Sequence, residues 1–194
     1  SFETACSSAL VGSHAAVCAS ARDECASALA CGVNLVLTPE RSFRLTAVGI
    51  LSTAGRCRTF DRLADGYARS EACSAAALEP SAAGGAGSMA WLGSAVRQDG
   101  KSASLTAPNG PAQRGLLRAA VADAHATPSM LLRVESAASG SAIADPIDAE
   151  ATVEALECWV RLSRSKVMSW APMPSASAQR GVPAAPEAAR LMVG

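Results

Sequence analysis

The apolar positions of this chain fall into short runs separated by turn-rich stretches, and their spacing predicts helices alternating with strands. From Cys6 to about Ala21 the residues are small and helix-compatible. Glu24 to Leu37 (ECASALACGVNLVL) reads as a buried strand, a glycine turn and a second apolar segment. Residues 52 to 70 are loop-like, with Gly55, Gly66 and several charges. Ser88 to Val96 (SMAWLGSAV) is a strand candidate, followed by the turn-rich RQDGKSASLTAPNGP. Pro111 then opens a helix with one apolar stripe of Leu116, Leu117, Ala120, Val121 and Ala124. Proline suits a first helical turn because the N–H it lacks would have had no partner there. Met130 to Val134 reads as a short strand. Asp145 is the expected N-cap of a further helix, with Pro146 at its first position and Asp148 near the positive end of its dipole. Ile147, Ala151, Ala155, Trp159 and Leu162 follow at helical spacing. After Trp170 the pattern decays into a Pro/Ser/Ala-rich stretch, expected as a surface tail over residues 171–194. No internal repeat is visible, and the alternation predicts an α/β layered fold.

Composition narrows this picture. The chain has 194 residues, about the length of one domain. Its apolar fraction is 49% but only 4% is aromatic, and alanine carries much of the rest. Small side chains remove less surface from water, so such a core predicts marginal stability or support from a partner. Acidic and basic residues both number 17, and no basic block points to nucleic acid or to an anionic membrane surface. The longest apolar run, Ala28 to Leu37, is far shorter than the roughly 20 residues of a spanning helix. Position 1 is Ser rather than Met, so a processed product or a piece of a longer chain is expected. The seven cysteines (Cys6, Cys18, Cys25, Cys31, Cys57, Cys73 and Cys158) include no CxxC pair, and only His14 and His125 could join them. No metal site, no cofactor and no disulfide scaffold is therefore expected. Reduced thiols in an intracellular, reducing compartment fit best.

The candidate chemistry sits in two motifs. ETACSSAL at residues 3–10 resembles the nucleophile motif of the β-ketoacyl synthase (ketosynthase) domain of polyketide and fatty acid synthases, with Cys6 at the acyl-accepting position. The similarity continues through ECASALACGVNLVLTPE, ILSTAGRCRTFDRLADGYARSEAC, GSAVRQDGKSASLTAPNGPAQ and DPIDAEATVEAL, in the family's order over roughly residues 2–160. The resemblance implies a partial thiolase-like fold, with helices packed on mixed β-sheets. It divides the chain into a truncated ketosynthase-like domain over 1–170, with a nucleophile-side part at 1–83 and a histidine-side part at 88–170. GGAGS at 84–88 lacks the Lys-Ser/Thr of a phosphate loop and reads as the linker.

The same resemblance implies that the family's machinery is degraded here. Ketosynthases load an acyl group on the cysteine, decarboxylate a malonyl unit and steady the resulting carbanion with two histidines. The first histidine motif, His-Gly-Thr-Gly-Thr, corresponds to Ala137-Ala138-Ser139-Gly140-Ser141, so Ala137 replaces the imidazole. The second is expected within residues 172–180, which read PMPSASAQR. The half-domain preceding the nucleophile and the strands closing the fold are expected to be missing, which would leave sheet edges for other protein chains to cover.

Other residues carry bland readings beside sharp ones. Cys6 is either a live acyl acceptor or an inherited small buried residue, and the second is preferred. His14 lies eight residues beyond Cys6, more than two helical turns away, and reads as structural. His125 ends a helix, Asp145 and Asp148 read as helix-start carboxylates, and Asp65 and Glu71 match family positions around the site. The remaining cysteines read as core. The chain is thus read as a ketosynthase-derived pseudoenzyme, a structural or interaction subunit of a larger assembly. The rival reading is partial acyl loading through Cys6, with an acyl carrier protein as the partner.

Overall fold

The structure is a computed structural model that describes residues 1–80, 89–104, 107–156 and 191–192. A short 3-10 turn at Ala5–Ser7 leads into α1 (Ser8–Ala21), followed by β1 (Ala28–Asn34), α2 (Glu40–Ala47) and β2 (Ala72–Leu78). The second part holds α3 (Gly110–Asp123), a 3-10 turn at Pro128–Met130, β3 (Val134–Glu135), α4 (Ala144–Ala155) and β4 (Leu191–Met192). Strands β1 and β2 pair antiparallel, with Ala28 opposite Leu78 and Asn34 opposite Ala72, while β3 and β4 pair parallel. The chain is α/β, and its helices pack on small sheets of both pairing senses. Among the described residues no helix is long and apolar enough to cross a membrane.

Helix α1 lies on β1, and Gly32 sets how closely. A Cβ at Gly32 would sit 3.2 Å from the Ala9 Cβ, tighter than ordinary contact. Gly32 is therefore no turn: it lies inside one continuous strand, where its missing side chain admits α1. Ala28, Ala30 and Gly32 are half-buried under α1, while Leu29, Cys31 and Val33 alternate with them on the open face. Strand β2 carries a weak signal, since its ACSAAAL is rich in a poor strand former.

The expected strand over Ser88–Val96 does not form a ladder among the described residues 89–96. Side chains serve it instead: Ser94 N–H donates to Asp123 Oδ2 at 2.8 Å, and its hydroxyl meets His14 Nδ1 at 2.7 Å. The strand expected at Met130–Val134 shrinks to Val134–Glu135, because Pro128–Met130 closes a 3-10 turn first. Leu191–Met192 pairs with it, so the expected tail contributes two residues of strand. The expected linker at 84–88, the helical continuation through Trp159 and Leu162, and residues 172–180 lie outside the described residues.

The core lies between α3 and α4, where Leu117, Ala120, Val121, Leu131 and Leu156 are buried together. Three of the five expected stripe positions of α3 thus reach the core, and Leu116 and Ala124 are half-buried beside it. Asn109 caps α3: its Oδ1 accepts from Ala112 N–H at 3.2 Å while Nδ2 donates to the carbonyls of Asp99 and Lys101. Asn109→Ala removes the cap and both tethers to the preceding loop. It is expected to cost about 1–2 kcal/mol, read as a lowered urea midpoint.

The cysteines depart from the core reading. Cys31, Cys57 and Cys73 are exposed and Cys18 and Cys25 half-exposed, because the alanine-rich sheet that holds two of them is covered on one side only.

Candidate functional site

The Cys6 turn is built from hydroxyls. Ser8 Oγ accepts from Thr4 N–H and donates to the Ala5 carbonyl, both at 2.8 Å, and Ser7 Oγ donates to the Thr4 carbonyl at 3.0 Å. These bonds brace Ala5 in a left-handed conformation, φ +55°, that costs an alanine roughly 1–2 kcal/mol. Cys6 itself is exposed, so the reading as an inherited buried residue is corrected. Its position two residues before α1 leaves the thiol outside the helix–strand packing. Among the described residues, Cys6 makes no side-chain hydrogen bond.

Neither histidine approaches it as a partner. The His14 ring is engaged at both nitrogens, Nδ1 with Ser94 Oγ at 2.7 Å and Nε2 with Cys18 Sγ at 3.7 Å, tying α1 to the segment beneath it. His125 is exposed just past the end of α3, with φ +48° and its N–H donating to the Ala122 carbonyl at 3.0 Å. That is the left-handed position that closes a helix, a backbone role.

The loop carrying Ala137 is clamped from two sides. From residues 50–67, Thr59 Oγ1 donates to the Ala138 carbonyl and Gly66 N–H to the Gly140 carbonyl at 3.0 Å. From α4, Asp145 accepts from Gly140 N–H at 3.0 Å and Ser141 N–H at 3.2 Å. Asp145 is 2% exposed and is not the N-cap expected for it. The helix starts at Ala144, whose N–H donates to Ser141 Oγ at 3.1 Å, because the Asp145 carboxylate is used to hold the loop. Pro146 accordingly stands third in the helix rather than first. Ala137 is exposed, presenting a methyl group from a firmly positioned backbone.

Asp65 braces the opposing loop. It accepts from Ser52 Oγ at 2.6 Å, Thr53 N–H at 3.0 Å and Thr53 Oγ1 at 2.8 Å. These bonds, the Ser52 one foremost, favour the carboxylate and lower its pKa. Glu71 accepts from Val36 N–H at 2.6 Å, tying the ends of β1 and β2. Both are structural brackets, and among the described residues neither is hydrogen-bonded to Cys6.

Asp148, on α4, is half-buried and accepts from Gln113 Nε2 at 2.7 Å. Burial raises its pKa above the ordinary value, the Gln113 bond opposes this, and the charges of Asp145 and Asp99 add to it. Raised in the folded state, the group favours folding when protonated and disfavours it once ionised. Stability is therefore lost as pH rises from the usual carboxyl range through the elevated folded pKa. Asp148→Asn keeps an acceptor for Gln113 and is expected to be more stable than wild type at neutral pH. That gap should vanish below the carboxyl range, which thermal melts across pH would check.

Two recesses flank the Leu116–Leu117 turn of α3. One, about 80 Å³, is lined by Ser7, His14, Trp91 and Arg97 among others. The other, about 70 Å³, lies beside Ala137 and includes Gln113 and Asp148. Among the described residues, neither buried Trp91 Nε1 nor buried Gln113 Oε1 has a hydrogen-bond partner. Sequence reasoning missed Gln113, Trp91 and the clamp residues Thr59 and Gly66, which acquire meaning only from contacts far along the chain. Among the described residues no cluster of three metal-ligating side chains occurs.

The pattern described as "Beta-ketoacyl synthase, N-terminal domain" matches residues 1–83, and "Beta-ketoacyl synthase, C-terminal domain" matches residues 89–169. Erythronolide synthase EryA2 of Saccharopolyspora erythraea is 42% identical over 155 residues, 78% of this chain and 4% of that protein. Polyketide synthase GfsE of Streptomyces halstedii is 41% identical over 153 residues, 77% of this chain and 4% of that protein. Among solved structures, the ketosynthase from module 6 of the bacillaene synthase of Bacillus subtilis 168 superposes with TM-score 0.75 at 34% identity, covering 80% of this chain and 29% of that one. The oxazolomycin ketosynthase domain OzmH KS7 of Streptomyces albus JA3453 gives 0.73 at 32% identity, covering 78% of this chain and 28% of that one. The chain thus spans under a tenth of these curated relatives and under a third of these solved ketosynthases.

Proposed function

Because the chain belongs to the β-ketoacyl synthase family and shares its thiolase-like fold, we propose that it is a ketosynthase-derived pseudoenzyme serving as a structural or interaction subunit of a larger assembly. The observation that carries this reading is Ala137. The backbone that would present an imidazole is held by Thr59, Gly66 and Asp145, yet the residue there ends at a methyl group. Carbon–carbon bond formation needs negative charge steadied on a thioester enolate. The chain's two imidazoles are tied up at Ser94 and Cys18 or placed at the end of α3. Losing one acid–base group costs roughly 10²–10⁴ in rate.

An interaction role draws support from the open face of β1, where Leu29 is 67% and Val33 62% exposed, and from Leu37 beyond it at 80%. Such apolar surface is costly in water and suits burial against another protein chain. The six described cysteines are free, which suits a reducing, intracellular compartment. Sedimentation of the isolated chain tests the subunit role. Self-association or loss of cooperative unfolding is the expected result, and a stable, cooperatively folding monomer would contradict it.

The exposure of Cys6 favours a second reading, acyl loading. The Cys6 thiolate would attack the carrier's thioester carbonyl, forming a new C–S bond, and the carrier thiolate would leave and take up a proton. Intact-mass spectra after incubation with an acyl carrier protein decide between the two. The pseudoenzyme reading expects no adduct; an acyl adduct abolished by Cys6→Ala establishes loading.

A further inference from the structure

His14 and Cys18 stand one turn apart on the same face of α1, and their side chains meet. His14 Nε2 lies 3.7 Å from Cys18 Sγ, and Nδ1 of the same ring lies 2.7 Å from Ser94 Oγ. Ser94 is itself anchored, since its N–H donates to Asp123 Oδ2 at 2.8 Å. A nucleophile beside a base, with the base oriented by a third group, is the arrangement that activates a thiol. The tautomer that donates Nδ1–H to Ser94 leaves the Nε2 lone pair facing the Cys18 S–H. Cys18 is half-exposed, so solvent reaches the residue. Among the described residues no other cysteine is hydrogen-bonded to an imidazole. Charge around the pair is low. Helix α1 (SALVGSHAAVCASA) holds no acidic or basic side chain besides this imidazole, and Arg22 just beyond it is paired with Glu24 at 3.9 Å.

We propose that Cys18, paired with His14 and Ser94, is a site of covalent modification by small uncharged electrophiles of the α,β-unsaturated carbonyl class. The Cys18 S–H gives its proton to His14 Nε2 as the sulfur forms a bond to the β-carbon. The electron pair of the carbon–carbon double bond moves to the α-carbon, which then takes that proton back from Nε2. The imidazole serves first as base and then as acid, and the addition needs no oxidant and expels no leaving group. The low charge around the pair selects an uncharged reagent, because nothing on α1 draws an ionic one. The inference concerns a thiol three turns along α1 from Cys6, and it holds whether or not Cys6 accepts acyl groups.

The test exposes the full chain to N-ethylmaleimide, an uncharged electrophile of this class, and follows each cysteine over time by peptide mass spectrometry. Cys25 is the internal control, half-exposed like Cys18 and without an imidazole beside it among the described residues. Near about pH 7 Cys18 should be labelled roughly tenfold faster than Cys25, a modest gain because a free thiol is already partly ionised. Between about pH 7 and 8 the Cys25 rate should rise nearly tenfold with its thiolate fraction, and the Cys18 rate less, because its proton has an imidazole to go to. His14→Gln should bring Cys18 down to the Cys25 rate, and Ser94→Ala, which keeps the ring but frees it to turn, should remove part of the gain. An unchanged Cys25 rate shows that each variant keeps its fold. Equal rates at Cys18 and Cys25 in the wild-type chain would overturn the proposal, as would a Cys18 rate unmoved by His14→Gln. Should His14→Gln fail to fold, the wild-type pH profile decides: a Cys18 rate that climbs in parallel with Cys25 contradicts the proposal.

Discussion

Replacing Gly66 by alanine is expected to destabilise the chain by about 3 kcal/mol or more, among the largest effects open to a single methyl group. Two causes add. Gly66 has φ +126°, a conformation that L side chains avoid. Its Cβ would also lie 2.4 Å from the Ile50 carbonyl oxygen and 2.8 Å from Leu51 C and Ser52 N. All three atoms are backbone, so no side chain can swing aside. Relief requires residues 50–52 to move, and that breaks the bridge between Leu51 and Tyr67, with the hydrogen bonds from Tyr67 N–H to the Ile50 carbonyl and from Ser52 N–H to the Tyr67 carbonyl. Gly55 provides the control: its φ is +63°, yet nothing lies within 4 Å of an added Cβ. Gly55→Ala should therefore show the conformational cost alone, about 1–2 kcal/mol. With urea m-values of roughly 1–3 kcal/mol/M, the two midpoints should separate clearly.

Asp145→Ala carries the second large effect, an expected loss of about 2–4 kcal/mol. The carboxylate is 2% exposed and accepts from the N–H groups of Gly140 and Ser141. Truncation leaves both donors facing a void, with Gly140 itself buried. Asp145→Asn should fall between, because one amide oxygen serves one donor while its NH₂ opposes the other. Hydrogen exchange would localise the effect: the Gly140 and Ser141 amides should lose protection before the α3 core does. Equal loss across α3 would show that Asp145 supports the domain generally and not the Ala137 loop.

Legibility in the sequence follows the range of the forces involved. Helix α3 is readable because Pro111 and the Leu117–Val121 stripe act within a few turns, and Asn109 completes the start. Gly32 looks like a turn in the sequence because its reason is Ala9 of α1, over twenty residues away. The Ser88–Val96 stretch has strand-like residues, but Ser94 finds its partners on α1 and α3. Local spacing points Asp145 to a cap, whereas a loop folding back claims its oxygens. Cys6 and Ala137 come from motif resemblance and not from periodicity. The clamp around Ala137 (Thr59, Gly66 and Gly140) joins segments some eighty residues apart, and no local pattern announces such a contact.

The central claim is that the exposed thiol of Cys6, lacking an imidazole at position 137, does not support the enolate on which chain extension depends. The direct measurement incubates the purified protein, in the longest form in which it is expressed, with an acyl thioester and a malonyl-loaded acyl carrier protein. Mass spectrometry then follows the β-ketoacyl product. The account predicts no product above the protein-free control, at least roughly 10³-fold below a histidine-bearing ketosynthase. Turnover that disappears in Cys6→Ala would contradict it.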